Sequence, residues 1–159
     1  MIEQFLNFLT VELTVLFTAA LPIIELRGAI PVGIALGLTP LHALAISFIG
    51  SMIPVPFILF LIRPIFKWMK STNLLKGIAE KITLRSKSKN SHQIQKYGAW
   101  ALVIIVAIPL PGTGVWSGSL AAALFDIRFK WAFPAILVGN FMAAMAVLFF
   151  SNGMINLLS

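Results

Sequence analysis

Apolar residues run through this chain in six blocks, 4–24, 29–38, 41–62, 99–111, 115–125 and 131–150. A helix that crosses the hydrocarbon core of a bilayer takes about 20 predominantly apolar residues. Blocks 41–62 and 131–150 meet that length cleanly. The other four are joined in pairs across two short breaks. The first is Glu25-Leu26-Arg27-Gly28-Ala29-Ile30-Pro31, and the second is Pro109-Leu110-Pro111-Gly112-Thr113-Gly114. The pattern predicts a helical hairpin over 4–38 with a longer first leg, then a span over 41–62. It predicts a second hairpin over 99–125, then a span over 131–150. The legs of the second hairpin, at about a dozen residues each, are too short for full spans. Both hairpins therefore read as re-entrant. Six short spans are the alternative, and they put every loop on the same sides.

Charge orients this plan. Arg63, Lys67, Lys70, Lys76, Lys81, Arg85, Lys87, Lys89 and Lys96 all fall between the halves, with Glu80 as the acid among them. Basic loops stay cytoplasmic. The second hairpin begins after Lys96 and ends at Asp126-Ile127-Arg128-Phe129-Lys130, so both of its ends face the cytoplasm. Block 41–62 ends at Arg63 and crosses inward, which puts both ends of the first hairpin outside. Hairpin and span then recur with opposite orientation, an inverted repeat whose tips meet near the midplane. The organisation is one membrane domain over 1–159: repeat 1 at 4–62, a basic cytoplasmic linker at 63–98, and repeat 2 at 99–150. Within the linker, Leu75, Ile78, Ala79 and Ile82 recur at helical spacing opposite Lys76, Glu80, Lys81 and Arg85, the pattern of an amphipathic helix at the headgroup layer.

Composition sharpens the class. With 59% hydrophobic and 11% charged residues, the chain has far more apolar surface than a soluble domain of 159 residues can bury. The net charge of +7 is concentrated in the linker, which argues for topology and against nucleic-acid binding. Without cysteine there is no thiolate metal site. No nucleophile–base pair, metal-ligand cluster or nucleotide-phosphate loop stands in the sequence, so no enzyme and no cofactor is expected.

The chemistry is expected in the breaks. An ionisable side chain near the bilayer centre costs about 2.5–3.5 kcal/mol on insertion scales, so Glu25 and Arg27 must pair or line a wet cavity. Gly28 and Pro31 let the chain turn and restart a helix, as Pro109, Pro111, Gly112 and Gly114 do in the second break, with Thr113 as the expected N-cap. Two helix N-termini and Arg27 make a centre suited to a carboxylate or phosphate. Arg27, Gly28, Gly112, Thr113, Gly114 and Trp116 are the substrate-binding candidates. Glu25 is the proton-coupling candidate, and Glu12, placed to meet Arg27 or line the entry path, is the second. Asn140 reads as a residue that hydrogen-bonds between helices, and Trp68, Trp100 and Trp131 read as interfacial belt residues.

The motifs Glu25-Leu26-Arg27-Gly28-Ala29-Ile30-Pro31 and Pro109-Leu110-Pro111-Gly112-Thr113-Gly114-Val115-Trp116-Ser117-Gly118 resemble those of the small multi-drug export family of prokaryotic membrane proteins. The layout is more distantly similar to the DedA superfamily, whose facing re-entrant hairpins are linked to lipid-phosphate translocation. Thr113 and Gly114 stand where that superfamily would have an arginine beside the proline. The resemblance implies a small transporter of the cell membrane. Three readings follow: a proton-coupled transporter of an anionic amphiphile or small anion, a drug or cation exporter using Glu12 and Glu25, and a membrane scaffold that transports nothing. Membrane lipids and the substrate are the expected partners. A homodimer is expected through the Gly33/Gly37 and Gly114/Gly118 faces.

Overall fold

The structure is a computed structural model that describes residues 2–71, 91–110 and 112–158. Among these residues the secondary structure is entirely helical, in the order α1 (Ile2–Ala20), α2 (Glu25–Ala35), α3 (Pro40–Met52), α4 (Pro54–Ser71), α5 (Ser91–Ala107), α6 (Val115–Leu124) and α7 (Phe129–Leu158). The amphipathic segment around Leu75–Ile82 lies outside the described residues. Helix α4 runs beyond Ile62 and α5 begins at Ser91, so both ends of the expected linker are helical.

Among the described residues, three stretches are long and apolar enough to cross a membrane: Ile2–Ala20, Pro40–Ile65 and Phe129–Gly153. Helix α1 joins the two long blocks, in keeping with a first leg longer than its partner. Block 41–62 is not one continuous helix. It breaks at Ile53, between α3 and α4. Pro54 and Pro56 have no N–H, so the carbonyls of Gly50 and Met52 lose their ordinary donors four residues on. The Gly50 carbonyl instead accepts the Ile53 N–H at 3.3 Å.

Polarity is arranged as a bilayer requires. Phe57, Phe60, Trp100, Phe141 and Phe149 are exposed, while Ser47, Ser51, Ser119 and Asn140 are buried. Three of these four find partners inside: the Ser119 hydroxyl donates to the Val115 carbonyl at 2.5 Å, and the Asn140 amide donates to the Ser51 hydroxyl at 2.8 Å, while the buried Ser47 hydroxyl has no partner among the described residues. With these exposed apolar faces and long helices, the chain is a membrane protein.

Each hairpin packs on its own following helix and on the long helix of the other half. Val15 and Ala19 of α1, Ala29 of α2 and Ala43 of α3 form one core. Leu102 and Val106 of α5, Val115 and Ala122 of α6, and Ala132 and Ile136 of α7 form another, which Val55 and Leu59 of α4 complete. Leu26 and Ile30 of α2 pack on Ala143 and Ala144 of α7. Glycines permit the closest approaches. Gly50 sits against the Leu16 carbonyl and Ala19, and Gly139 sits against the Val103 carbonyl and Val106.

The α2–α3 and α6–α7 turns are built alike. The Leu36, Gly37 and Leu38 N–H groups bond to the Val32, Ile34 and Gly33 carbonyls, and the Phe125, Asp126 and Ile127 N–H groups bond to those of Ala121, Ala123 and Ala122. The left-handed positions are Gly37 at φ 94° and Asp126 at φ 52°, each followed by a buried apolar residue, as in a Schellman ending. Two polar clusters tie separate helices together. At one, Glu12 of α1 meets His42 of α3 at 2.7 Å, with the Phe8 ring edge-on to the imidazole. At the other, Arg63 of α4 donates to the Ile127 carbonyl. There the Gln95 side chain of α5 also clamps the α6–α7 turn, bonding to the Asp126 carbonyl at 3.0 Å and the Arg128 N–H at 2.7 Å.

Candidate functional site

The two hairpin tips meet. In the first, α1 ends at Ala20 and α2 begins at Glu25, which holds a left-handed backbone at φ 50°. That conformation costs a residue with a Cβ on the order of 1–2 kcal/mol, and it persists only where contacts fix it. The Glu25 carboxylate provides them. Its Oε2 lies 2.5 Å from Arg27 Nη1, and its Oε1 accepts the backbone N–H of Trp116 at 3.3 Å. The carboxylate of one hairpin thus sits at the first turn of α6 in the other, where the free N–H groups and the positive end of the helix dipole favour an anion.

Arg27 makes the complementary contact. Its Nη2 donates to the carbonyls of Val106 at 3.1 Å and Ile108 at 2.9 Å, at the negative end of α5. Trp116 reciprocates from the second tip, with its indole Nε1 donating to the Ala20 carbonyl at the end of α1, 3.1 Å away. Each hairpin therefore caps the first leg of the other. Gly114 is buried at the point of closest approach, and a Cβ there would run into the Glu25 carboxylate and the Arg27 guanidinium. Glu25 is 5% exposed, so this is a charge pair held away from bulk solvent.

The remaining tip residues hold the backbone in place. Thr113 is not the N-cap. That position falls to Gly114, whose N–H bonds to the Ser117 hydroxyl at 2.8 Å. The Thr113 hydroxyl lies 2.7 Å from the Ile108 carbonyl and 2.9 Å from that of Leu110, so Thr113 and Arg27 share the Ile108 carbonyl. Gly112 takes the left-handed turn at φ 86° in open surroundings. Gly28 lies in α2 against Ile24, with no room for a side chain. Glu12 stands apart from this group, paired with His42. Gly33 and Gly118 pack within the chain, against Val15 and Ala43 and against Val106.

Sequence reasoning finds Glu25, Arg27, Gly114 and Trp116 but not the backbone groups they meet across the two tips. The carbonyls of Ala20, Val106 and Ile108 carry no side-chain signal. Ser117, three residues after the cap, does carry one, as the return member of a capping pair. Among the described residues, no group of three or more His, Cys, Asp or Glu side chains could hold a metal ion.

Residues 25–146 match the family described as "putative small multi-drug export protein". The chain belongs to this family. The match begins at Glu25 itself and runs through both tips into α7. Searches of curated proteins and of solved structures find no match. Together with the long apolar helices, the family assignment makes this chain a small membrane protein of an exporter family.

Proposed function

We propose that the chain is a proton-coupled membrane exporter of an anionic amphiphile or small anion, bound between the tips of two re-entrant hairpins that form an inverted repeat. The carrying observation is that the tip site already seats a carboxylate, Glu25's own, between Arg27 and the first turn of α6. A substrate carboxylate or phosphate would find the same donors there. It can take them only when Glu25 leaves, and a Glu25 that takes a proton leaves without stranding a second negative charge beside the first. Seating the substrate and protonating Glu25 then become one event, which is the coupling. Two polar clusters fit the orientation. Glu12, midway along α1, meets His42 near the start of α3, while Gln95 near the start of α5 and Arg63, midway along α4, both meet the α6–α7 turn. On this reading the Arg63 end is cytoplasmic and the protein lies in the cell membrane.

The test is a thermal-shift titration of purified protein across pH, with phosphatidic acid and with tetraphenylphosphonium. Arg27→Ala should abolish stabilisation by phosphatidic acid. Glu25→Gln should keep it and remove its pH dependence, because the amide has a similar shape and does not titrate. Anion binding that survives Arg27→Ala unchanged would remove this mechanism. In a cation exporter Glu25→Gln would instead lose tetraphenylphosphonium binding. In a scaffold both substitutions would lower stability, and neither probe would shift the melting temperature.

A further inference from the structure

The α6–α7 turn, away from the hairpin tips, gathers cations. Arg63 of α4 is half-buried, and its Nη2 donates to the Ile127 carbonyl of the turn. Its Nε is closed off from solvent without an acceptor. A guanidinium drawn partly out of water calls for a counter-charge. Among the described residues, no carboxylate pairs with it. Arg128 and Lys130 stand exposed just after the carbonyl that Arg63 holds, and exposed Lys96 follows the Gln95 that clamps the same turn. Asp126 is the acid of the turn, and it makes no ion pair with these cations. The turn geometry does not require them. The α2–α3 turn, built alike, has Thr39, Pro40 and Leu41 where this one has Arg128, Phe129 and Lys130, and its nearby His42 already faces Glu12 at 2.7 Å.

A row of rings leads inward from these cations. Phe60, one turn before Arg63 on α4, stacks on Phe129 of α7 at 4.9 Å, and Phe129 stacks on Phe133 at 5.3 Å. Phe60 is 61% exposed, so the row is open to lipid. The apolar stretch Pro40–Ile65 ends just past Arg63, and the stretch Phe129–Gly153 begins just past Arg128. Both arginines thus stand at the edge of the hydrocarbon, and Phe133 reaches about 6 Å deeper along α7 than Phe129. We propose that this corner between α4 and α7 binds an anionic phospholipid, with the phosphate against Arg63, Arg128 and Lys130 and the upper acyl chains along Phe60, Phe129 and Phe133. Charge complementarity carries the head, because an arginine fork matches phosphate oxygens and the cations here outnumber Asp126. The order along the membrane normal carries the rest: cations at the edge and rings within, as a lipid of the adjoining leaflet presents its head and then its chains. In the orientation proposed above, that leaflet is the anionic cytoplasmic one.

The experiment titrates the full chain in a neutral detergent with dioleoylphosphatidylglycerol, dioleoylphosphatidylcholine and water-soluble glycerol phosphate, and counts bound molecules by native mass spectrometry. Phosphatidylglycerol should bind about tenfold more tightly than phosphatidylcholine, and glycerol phosphate should not bind. Arg63→Gln should weaken phosphatidylglycerol about tenfold and leave phosphatidylcholine within about twofold. The exposed pair Arg128→Gln and Lys130→Gln, which does not touch the half-buried arginine, should do the same. Lys87→Gln in the basic linker and Arg27→Ala at the tip should each leave phosphatidylglycerol within about twofold. An equal loss from Lys87→Gln would reduce the effect to general attraction by a basic chain, and a loss from Arg27→Ala would move the lipid to the tip site; either overturns the proposal. Glycerol phosphate binding that disappears in Arg63→Gln would make this a site for free phosphate and would also overturn it. Phosphatidylglycerol with a diazirine on its upper acyl chain should label the wild-type chain around Phe60, Phe129 and Phe133, a readout that needs no variant to fold. Labelling confined to other helices, or matched by the phosphatidylcholine analogue, counts against the site.

Discussion

At the residue scale, the tip site shows how closely one position can be specified. Glu25 and Arg27 are legible from the sequence because two ionisable residues in an apolar chain demand a partner. Pairing with each other is one of the outcomes the sequence leaves open, and the structure puts the two side chains 2.5 Å apart. The backbone carbonyls that share Arg27 are not, because they come from residues 79 and 81 positions away and carry no side-chain signature. Gly114 sits between these cases. Its sequence context suggests a turn, yet its backbone is extended at φ 161°, and what it supplies is the absence of a Cβ beside Glu25 and Arg27. Gly114→Ala is therefore expected to part the two tips and to cost about 1–3 kcal/mol as an overpacked core position does. Neither the Glu25 carboxylate nor the Arg27 guanidinium is free to swing away, since each is tied into the pair. Thermal unfolding of the purified variant checks this, with Gly114→Ala melting well below wild type. An unchanged melting temperature would mean that the tips do not meet as described.

At the scale of elements, the order of helices and their turns is legible from block lengths and breaks, and the interior of block 41–62 is not. Pro54 and Pro56 stand in the sequence, but a run of apolar residues tolerates proline in a membrane when neighbours satisfy the freed carbonyls, so composition alone does not place the break. The structure puts it beside Ser51, whose hydroxyl takes the Asn140 amide. The two residues stand 89 positions apart on α3 and α7, directly after Gly50 and Gly139. This contact joins the long helix of one half to that of the other. Hydrogen bonds between membrane helices contribute about 0.6 kcal/mol on average and up to about 1.7. Asn140→Ala and Ser51→Ala should each destabilise within that range. The double variant should lose less than the sum, because the two changes remove one interaction. A strictly additive cycle would show that each residue acts through other neighbours.

At the scale of the whole molecule, the open question is how deep the tips lie, and the chain is well suited to answering it. It contains no cysteine, so single cysteines report cleanly. Loop labelling alone does not decide between re-entrant hairpins and six short spans, because both put the loops on the same sides. The tips do decide it. Ile23 and Leu110 are exposed by 91 and 56% on the protein surface, so neither is shielded by its own fold. If the hairpins re-enter, both residues sit in the hydrocarbon, where a thiol stays protonated and a charged maleimide does not reach. If the first hairpin crosses completely, Ile23→Cys lies in the cytoplasm and reacts once the membrane is permeabilised. If the second does, Leu110→Cys lies outside and reacts in intact cells. The expected outcome is that both cysteines resist the impermeant reagent on both sides. Thr39→Cys, in the exposed α2–α3 turn, should react from outside, and Lys130→Cys only after permeabilisation. Reaction of Leu110→Cys in intact cells would replace the midplane site with one at the membrane surface. The Glu25–Arg27 pair would then be read as a lock on the hairpins and no longer as the seat of a transported anion.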